Sequence, residues 1–420
     1  MLNFVTSFLS TPAFIIGLIA LVGLLAMRRS TSDIIKGTLK TILGFMILQA
    51  GASIIVDSLV PFSQLFEDAF GLEGVIAEDN AIAAAVQAVL SLETSLILVF
   101  GFLVNLLLAR LTPLKYIFLT GHMMFSMAAT IAIVFDQMGV TGWSAIAMGC
   151  VIQGLASVVF PAMAQPFVRK VTGNDNVALG FYGSSLIWMT AWVGGKLGNK
   201  DKSTEDIKIS DKLDFLKEMS VLMSIVMVAV YGVATAFASP ELVGELSAGR
   251  PAALMVVTNA LMFVIGILIL LQGVRMFLGE LIPAFKGVSE KLVPGAKPAL
   301  DVPVFYAFAP NATTIGFITA VLGGLLATVL STFASVVVLP SVIGLFFMGA
   351  AAGVFGNAMG GRRGAVISGF LLGFLFQIIV VLAYPLVGLG DYGVSGLWFA
   401  STDAIIVIGL MRLVGLLFGV

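Results

Sequence analysis

Apolar residues occur along this chain in long runs that are separated by short polar or charged segments. Three clear examples are Ile117–Phe135, Ala145–Phe160 and Ala252–Leu271. Their lengths approach the roughly 20 residues that an α-helix needs to cross the hydrocarbon core of a bilayer. Comparable runs continue from Phe14–Met27 to the C-terminus. The pattern predicts an all-α polytopic membrane protein with about eleven transmembrane helices.

The composition agrees with a membrane protein and narrows the function. Hydrophobic residues make up 59% of the 420 residues and charged residues 11%, whereas soluble domains carry about 25% charged residues. The net charge of −1 argues against a nucleic-acid partner. The single cysteine, Cys150, excludes an internal disulfide. Phe14–Met27 has neither a basic flank before it nor a small-residue cleavage site, so we expect a retained first helix rather than a signal peptide.

The charges between the apolar runs predict the orientation in the inner (cytoplasmic) membrane. Arg28 and Arg29 follow the first run, and basic residues stay on the cytoplasmic side. The segment Asp57–Asn80 holds six acidic residues and no lysine or arginine, which suits the outer face. The segment Arg275–Lys297 is rich in lysine, which suits the inner face. We therefore expect the N-terminus outside and the C-terminus inside.

Two parts of the chain are related by an internal repeat. The stretch LQAGASIIVDSLVPF resembles the stretch LQGVRMFLGELIPAF further along the chain. An offset of 222 residues aligns Gly51 with Gly273, Pro61 with Pro283, and Asp79 with Asp301. One copy is acidic and the other is flanked by lysines, so we expect the copies to face opposite sides of the membrane. Such inverted repeats are typical of transporters whose binding site lies at the repeat interface.

The repeat predicts a division into two halves. Residues 1–195 form the first half, residues 196–219 form a charged cytoplasmic loop, and residues 220–420 form the second half with the last helix. Generic similarity among apolar helices is the alternative explanation of the repeat.

A shorter similarity predicts two re-entrant hairpins. LGFYGSSLIW at Leu179–Trp188 shares six of its ten residues with LGDYGVSGLW at Leu389–Trp398. Each copy places one tyrosine, Tyr182 or Tyr392, in a glycine-containing turn between apolar runs. Non-helical backbone at membrane depth persists only where it is buried in protein or lines a wet cavity. We therefore expect hairpins near residues 176–195 and 385–402 whose tips meet at one central site, with two ordinary loops as the alternative.

A few polar side chains in apolar surroundings are candidates for a binding site, since such groups are costly in a membrane. His122 is the only histidine, and Ser126 lies one helical turn beyond it. The other candidates are the pair Asp79 and Asn80, the repeat-related Asp301, and Tyr182. A histidine bonded within the core and carboxylates that cap helices are the alternatives. The chain has no phosphate-binding loop, metal-ligand spacing or nucleophile triad, so we expect no catalytic residue, metal or cofactor.

Several long stretches give the chain a family resemblance. They are IIKGTLKTILGFMILQAGASI, LTGHMMF, QGVRMFLGELIPAFKGVSEKLVPGA, FYAFAPNATTIGF and GVFGNAMGGRRGA. The chain resembles the IIC permease of the ascorbate-type phosphoenolpyruvate-dependent phosphotransferase system (PTS). The resemblance implies a homodimer of eleven-helix protomers, each with a scaffold and a mobile core that carries substrate by an elevator motion. It also implies cytosolic partners: a IIB protein that phosphorylates the sugar-like substrate, and the IIA protein of the same system.

The family's binding residues carry over unevenly. The histidine of its TGHxMF motif is His122, and its site aspartate aligns with Asp301. A Thr-Tyr pair becomes Asp79-Asn80, a glutamine becomes Ser126, and a His-Gln pair becomes Phe181-Tyr182. These changes favour a ligand with more hydroxyl donors and less negative charge than ascorbate, such as a pentitol or sugar.

A second function fits the same pattern. An ion-coupled secondary transporter of similar architecture would use Asp79, Asp301 or Glu93 to take up H⁺ or Na⁺. The transported product separates the two, because a phosphotransferase permease releases a phosphorylated solute and a secondary transporter releases an unmodified one. In either case the chain itself would supply no catalytic nucleophile.

Overall fold

A computed structural model of the chain describes residues 27–71, 74–207, 218–279, 293–334 and 336–418, with scattered positions between 13 and 25. Half of the residues of the predicted first span, Phe14–Met27, lie outside the described residues. Residues 208–217 of the predicted cytoplasmic loop also lie outside them, as does most of the lysine-rich segment after Arg275.

Helices dominate the described part of the chain. Their bounds are α1 Thr31–Phe70, α2 Asp79–Val89, α3 Ser91–Leu111, α4 Gly121–Gln137, α5 Gly142–Thr172, α6 Ser184–Leu197, α7 Met219–Phe237, α8 Pro240–Ser247, α9 Ala252–Gly279, α10 Pro303–Tyr306, α11 Pro310–Ser331, α12 Val342–Ala383 and α13 Thr402–Phe418. Short 3₁₀ turns occur at Thr204–Asp206, Tyr384–Leu386 and Gly390–Tyr392.

The structure agrees with a polytopic membrane protein. Six helical segments among the described residues are long and apolar enough to cross a membrane. They are Thr31–Phe70, Ser91–Leu111, Gly142–Thr172, Ala252–Gly273, Pro310–Ser331 and Ile343–Leu386. The number of eleven spans stays a prediction.

Six short strands depart from the predicted all-α fold. They are β1 Gly74–Ala77, β2 Tyr116–Phe118, β3 Ala178–Leu179, β4 Lys297–Leu300, β5 Val337–Leu339 and β6 Leu397–Trp398. They form two three-stranded parallel sheets with the orders β5-β1-β6 and β2-β4-β3. The sequence did not reveal them because a buried strand of two to four apolar residues cannot be told from helix by periodicity.

Each sheet combines strands from both predicted halves. In the first sheet Ile76 of β1 pairs with Leu339 of β5 and with Leu397 of β6. In the second, Ala299 of β4 pairs with Phe118 of β2 and Ala178 of β3. Each half thus supplies the central strand of one sheet and the two outer strands of the other. The halves interlock through these sheets.

The helices form two groups. We use "scaffold group" for α1, α7, α8 and α9, in which α1 packs along α9 and α7 packs against both. We use "core group" for α2–α6 and α10–α13, which surround the two sheets. These two names are kept below.

The contact between α1 and α9 is reciprocal. A Cβ atom built on Gly51 would lie 2.4 Å from the backbone nitrogen of Leu270. A Cβ atom built on Gly273 would lie 2.3 Å from the backbone nitrogen of Leu48. Adding 222 to Gly51 and Leu48 gives Gly273 and Leu270, so each contact is the counterpart of the other under the offset found in the sequence.

The helix α12 changes direction at two glycines. Gly360 and Gly361 have non-helical backbone angles, and Gly361 has a φ of 61°, which favours glycine. The chain folds back so closely that a Cβ atom on Gly356 would lie 2.5 Å from the backbone oxygen of Gly364. The two arms of α12 therefore pack side by side within the core group.

A charged cluster closes the end of the second sheet where its strands begin. The Asp175 carboxylate, in the loop after α5, accepts hydrogen bonds from Arg169, Lys297 and Gln165. The Arg169 guanidinium, with help from Lys297 and Gln165, holds the pKa of Asp175 well below its usual range. The cluster joins the end of α5 to the start of β4.

Close glycine packing within the core group leads to a stability prediction. A Cβ atom on Gly373 of α12 would lie 1.9 Å from the backbone oxygen of Ala320 on α11. Gly373→Ala should therefore lower the free energy of unfolding, because overpacking costs about 1–3 kcal/mol and exceeds the gain in helix propensity. Thermal unfolding of the purified protein in detergent measures the change.

Gly409→Ala is the matched control for Gly373→Ala. Gly409 also lies inside a helix, but a Cβ atom there would meet no atom within 4 Å. Its melting temperature should stay the same or rise. Equal effects of the two variants would show that α11 and α12 do not pack as described.

Candidate functional site

The two sheets end at one cavity of about 330 Å³. All six strands run parallel within their sheets, and each is followed within five residues by a helix. Every one of these six strand–helix connections contributes to the lining. The lining residues are Ala77, Glu78, Asp79 and Asn80 after β1; His122 and Met123 after β2; Phe181 after β3; Asp301 and Pro303 after β4; Ser341, Ile343, Gly344, Phe347 and Met348 after β5; and Ala400 and Ser401 after β6.

The scaffold group closes the remaining wall of the cavity. Leu271 and Arg275, both on α9, complete the lining. The cavity therefore lies between the carboxyl ends of two sheets of the core group and one helix of the scaffold group. Its volume falls in the usual range for small-molecule sites, about 300–1,000 Å³.

Five of the seven site residues expected from the sequence line this cavity. They are Asp79, Asn80, His122, Phe181 and Asp301. The structure brings them together from four separate parts of the chain. The other two expected residues, Ser126 and Tyr182, lie outside the lining.

Tyr182 lies behind the cavity wall. Its side chain is 1% exposed, its hydroxyl is 2.9 Å from the Ser157 Oγ, and its ring stacks on Phe118 with 4.5 Å between centroids. The neighbouring residue Phe181 faces the cavity instead. The structure thus places Tyr182 in the packing of the core group, whereas the sequence predicted a ligand contact for it.

Ser126 is also absent from the lining. It lies on α4, four residues beyond His122 and on the same helix face. Its side chain is buried, and its Oγ has no hydrogen-bond partner among the described residues. The position is one helical turn deeper in the core group than His122, which explains why a shared face does not give a shared cavity.

The two similar ten-residue stretches occupy different places in the fold. Leu179–Trp188 contains the end of β3 and the start of α6, whereas Leu389–Trp398 contains a 3₁₀ turn and ends with β6. The Tyr392 hydroxyl donates to Asp136 and does not line the cavity. By the order of strands in the two sheets, β3 corresponds to β6. The ten-residue match instead aligns β3 with a segment that precedes β6, so identical residues in the two stretches do not occupy equivalent positions.

His122 and Asp301 face each other across the second sheet's end of the cavity. The His122 Nε2 is 3.7 Å from the Asp301 Oδ2, and each side chain is about a quarter exposed, at 25% and 28%. The other oxygen of Asp301 accepts a hydrogen bond from the Val302 backbone at 2.8 Å. A separation of 3.7 Å is too long for a good hydrogen bond. The pair therefore keeps bonding capacity that a polar ligand group can use.

Glu78 and Asp79 are engaged by the chain itself. Glu78 caps α2 by accepting from the Ala81 backbone at 2.6 Å and from the Asn80 amide at 3.0 Å. Asp79 accepts from the Ala400 backbone at 2.8 Å and from the Ser401 hydroxyl at 2.5 Å. Asp79 thus joins the end of β1 to the end of β6. The carbonyl oxygen of the Asn80 side chain is buried and has no partner among the described residues.

Asp403 makes an equivalent connection behind the cavity. Its carboxylate accepts from the Ser184 backbone and hydroxyl at 3.0 and 2.8 Å and from the Ser185 backbone at 3.1 Å. Its own backbone N–H donates to the Tyr182 carbonyl at 2.9 Å. The side chain is fully buried. Asp403 therefore holds the start of α13 against the start of α6.

Four lining residues with polar side chains were missed by the sequence reasoning. Arg275 had a usable signal, because it is the only charged residue of α9, but its basic character was interpreted only as a cytoplasmic marker. Glu78 stood beside Asp79, and the sequence does not tell which of two adjacent carboxylates caps the helix. Ser341 and Ser401 carried no signal. No group of three or more His, Cys, Asp or Glu side chains could hold a metal ion in the described part of the chain.

Comparisons with known proteins identify relatives. A family model described as "PTS system sugar-specific permease component" (EIIC-GAT) matches residues 7–403. An "Ascorbate-specific PTS system EIIC component" of Mycoplasma pneumoniae is 30% identical over 438 aligned positions. The alignment covers 90% of this chain and 66% of the relative, so the chain spans slightly less than two thirds of that protein's length.

The Asp403 network generates a second stability prediction. In Asp403→Asn one carboxylate oxygen becomes an amide group, whose N–H would face the backbone N–H donors of α6. Losing hydrogen bonds to a buried charged group costs about 1–3 kcal/mol, so the melting temperature should fall by several degrees. The exposed Asp391 provides the control Asp391→Asn, which should melt like the wild type. An unchanged Asp403→Asn protein would show that this contact does not hold α6 and α13 together.

Proposed function

The chain belongs to the family of PTS sugar-specific permease components, and from this premise we propose that it is a IIC permease. It takes ascorbate or a related sugar or polyol across the cytoplasmic membrane. It then presents the solute to a cytosolic IIB protein, which phosphorylates it and is recharged by IIA. The relative's printed name supports ascorbate as a member of the substrate class.

The position of the cavity is the observation that best supports this proposal. Its polar groups lie at the ends of six strands of the core group, and only Leu271 and Arg275 come from the scaffold group. An elevator motion requires a site that is carried by one rigid body along the wall of another. The observed division of the lining between the two groups fits that requirement.

Two reciprocal features support the inverted repeat within the proposal. The Gly51–Leu270 and Gly273–Leu48 contacts are counterparts under the offset of 222 residues. The two sheets exchange central and outer strands between the halves in the same manner. We propose that β3 with α6, and β6 with α13, are the ends of two re-entrant segments that enter from opposite faces. The homodimer and the orientation with the N-terminus outside belong to the same proposal.

The gap between His122 and Asp301 suggests how a solute hydroxyl is bound. A hydroxyl placed between the two side chains can accept from His122 and donate to Asp301. Each oxygen of Asp79 already accepts one hydrogen bond, from Ala400 or Ser401, so Asp79 has less acceptor capacity left for a ligand.

In the proposed reaction the chain positions the solute and contributes no nucleophile. A hydroxyl oxygen of the solute forms a bond to the phosphorus carried by a cysteine or histidine of IIB. The bond between phosphorus and IIB breaks, and the hydroxyl proton is released. Holding the solute at the cavity mouth supplies the proximity on which this transfer depends.

Transport with phosphorylation tests the proposal. Membrane vesicles that contain the wild-type chain should accumulate phosphorylated ascorbate or a phosphorylated sugar when they are supplied with IIA, IIB, phosphoenolpyruvate and the general soluble PTS proteins that pass its phosphoryl group to IIA. His122→Ala and Asp301→Asn should each weaken binding by about 1–3 kcal/mol, since each loses a hydrogen bond to a buried polar ligand. Ser126→Ala, outside the cavity, is the control and should keep wild-type affinity. Accumulation of unmodified solute would instead identify an ion-coupled secondary transporter.

Labelling of single cysteines tests the inverted topology. In a Cys150→Ala background, Asp391→Cys should react with an impermeant maleimide in intact cells. Asn176→Cys should react only after the membrane has been opened. Both positions are exposed and lie near the entry of the two proposed re-entrant segments. Labelling of both from the same side would contradict the inverted arrangement.

A further inference from the structure

Arg275 is the charged side chain that the scaffold group contributes to the cavity. It lies one helical turn beyond Leu271 on α9, and both side chains line the cavity. Arg275 is exposed and forms no ion pair with any residue that the structure describes. Charged side chains that line a cavity of a membrane protein commonly mark the path of a ligand.

Acidic side chains also line the cavity, and they bear on a role for Arg275 in binding an anion. Three carboxylates, Glu78, Asp79 and Asp301, line the cavity together with His122 and Arg275. Hydrogen bonds from the chain determine which of these carboxylate oxygens a ligand can reach. Glu78 and Asp79 each accept two hydrogen bonds from the chain's own N–H and O–H groups. Only Asp301 keeps an oxygen that is not bonded to the chain, and that oxygen faces His122.

Helix N-termini add positive potential at the same place. The helices α2, α4, α6, α12 and α13 all begin within a few residues of the cavity wall. The start of α4, next to His122, has no side-chain cap. Helix N-termini favour negative charge, and the engaged carboxylates offset this effect only at the helix ends that they cap. A ligand anion therefore meets Arg275 on one wall and helix N-termini on the other.

A buried hydrogen-bond acceptor beside the cavity indicates that the ligand also carries hydroxyl donors. Asn80 lines the cavity, and its side-chain oxygen is buried just behind the surface and has no partner among the described residues. A buried polar atom without a hydrogen bond is costly, so a hydroxyl donor from the ligand suits it. The Asp301 oxygen near His122 suits a second hydroxyl.

We infer that Arg275 selects ligands that carry a negative charge and several hydroxyl groups. Its guanidinium binds the anionic group from the scaffold wall, while Asn80 and Asp301 bind hydroxyls on the core side. The preferred class is a sugar-derived anion rather than a neutral polyol. This inference deepens the proposed function and rests on it.

Binding to the purified full-length chain tests the inference with matched probes. The first pair is ascorbate and its neutral 3-O-methyl ether, and the second is xylonate and neutral xylitol. Isothermal titration should show the wild type binding the charged member of at least one pair about tenfold more tightly, the size expected for a hydrogen bond to a charged group. In Arg275→Gln that preference should disappear, with affinity for the neutral member changed by less than about twofold.

Two further variants separate charge recognition from structural damage. Arg275→Lys keeps the charge and should retain part of the preference, although it cannot form a bidentate contact. Arg250→Gln removes an exposed arginine just before the other end of α9, outside the cavity, and should bind like the wild type. All variants should unfold at the wild-type temperature.

The outcomes distinguish this inference from the proposed function. Equal binding of the charged and neutral members by the wild type would overturn the inference and leave the permease assignment standing. An Arg275→Gln protein that still prefers the charged member would do the same. Failure of all four probes to bind, together with no phosphorylated product in vesicles, would overturn both.

Discussion

The backbone of this chain must be hydrogen-bonded wherever it leaves the helical conformation inside the membrane, because no water is available there to satisfy it. The two three-stranded parallel sheets meet this requirement with a small number of residues. Each central strand, β1 or β4, is bonded on both sides by strands from the other half of the chain. This arrangement also fixes the position of the cavity, because the helices that follow parallel strands all begin at the same edge of the sheet.

The same constraint explains why carboxylates are buried beside the cavity. Each sheet end leaves helix N–H groups without partners, and such groups are costly when buried. Glu78, Asp79 and Asp403 satisfy N–H groups at three of these places. Hydrogen bonds to ionised groups are stronger than neutral ones, so these contacts join helix starts that are distant in sequence. These three acidic residues are therefore largely structural, which leaves His122, Asp301, Asn80 and Arg275 as the side chains proposed to bind the ligand.

Sequence reasoning succeeded where the physical signal was strong. Long apolar runs predicted a polytopic membrane protein, and the family resemblance is confirmed by the family match. Five of the expected site residues line the cavity because each stands within a few residues of the end of a strand, and their role in ligand binding stays a prediction.

Residue identities alone did not indicate which side chains face the cavity. The ten-residue similarity placed Tyr182 and Tyr392 at one site, but the strands align β3 with β6 and put neither tyrosine in the cavity. Tyr182 and Phe181 are both aromatic, so composition could not tell which of them faces inward. Arg275 was interpreted by its charge alone, since only packing places α9 beside the ends of the sheets.

The interface between the two groups is built differently from the interior of the core group. Near the cavity a small gap separates Met223, Met227 and Phe263 of the scaffold group from Ile76 and Ile343 of the core group. Apolar contacts are non-directional, and methionine adapts to changing neighbours. Within the core group, by contrast, Asp79 and Asp403 join elements by directional hydrogen bonds that a displacement would break. The proposed elevator motion requires a rigid interior and an adaptable boundary, and these contacts are compatible with it. In such a motion Arg275 stays with the scaffold group while His122 and Asp301 travel with the core group, so a charged ligand would be held from both walls in only one of the two states.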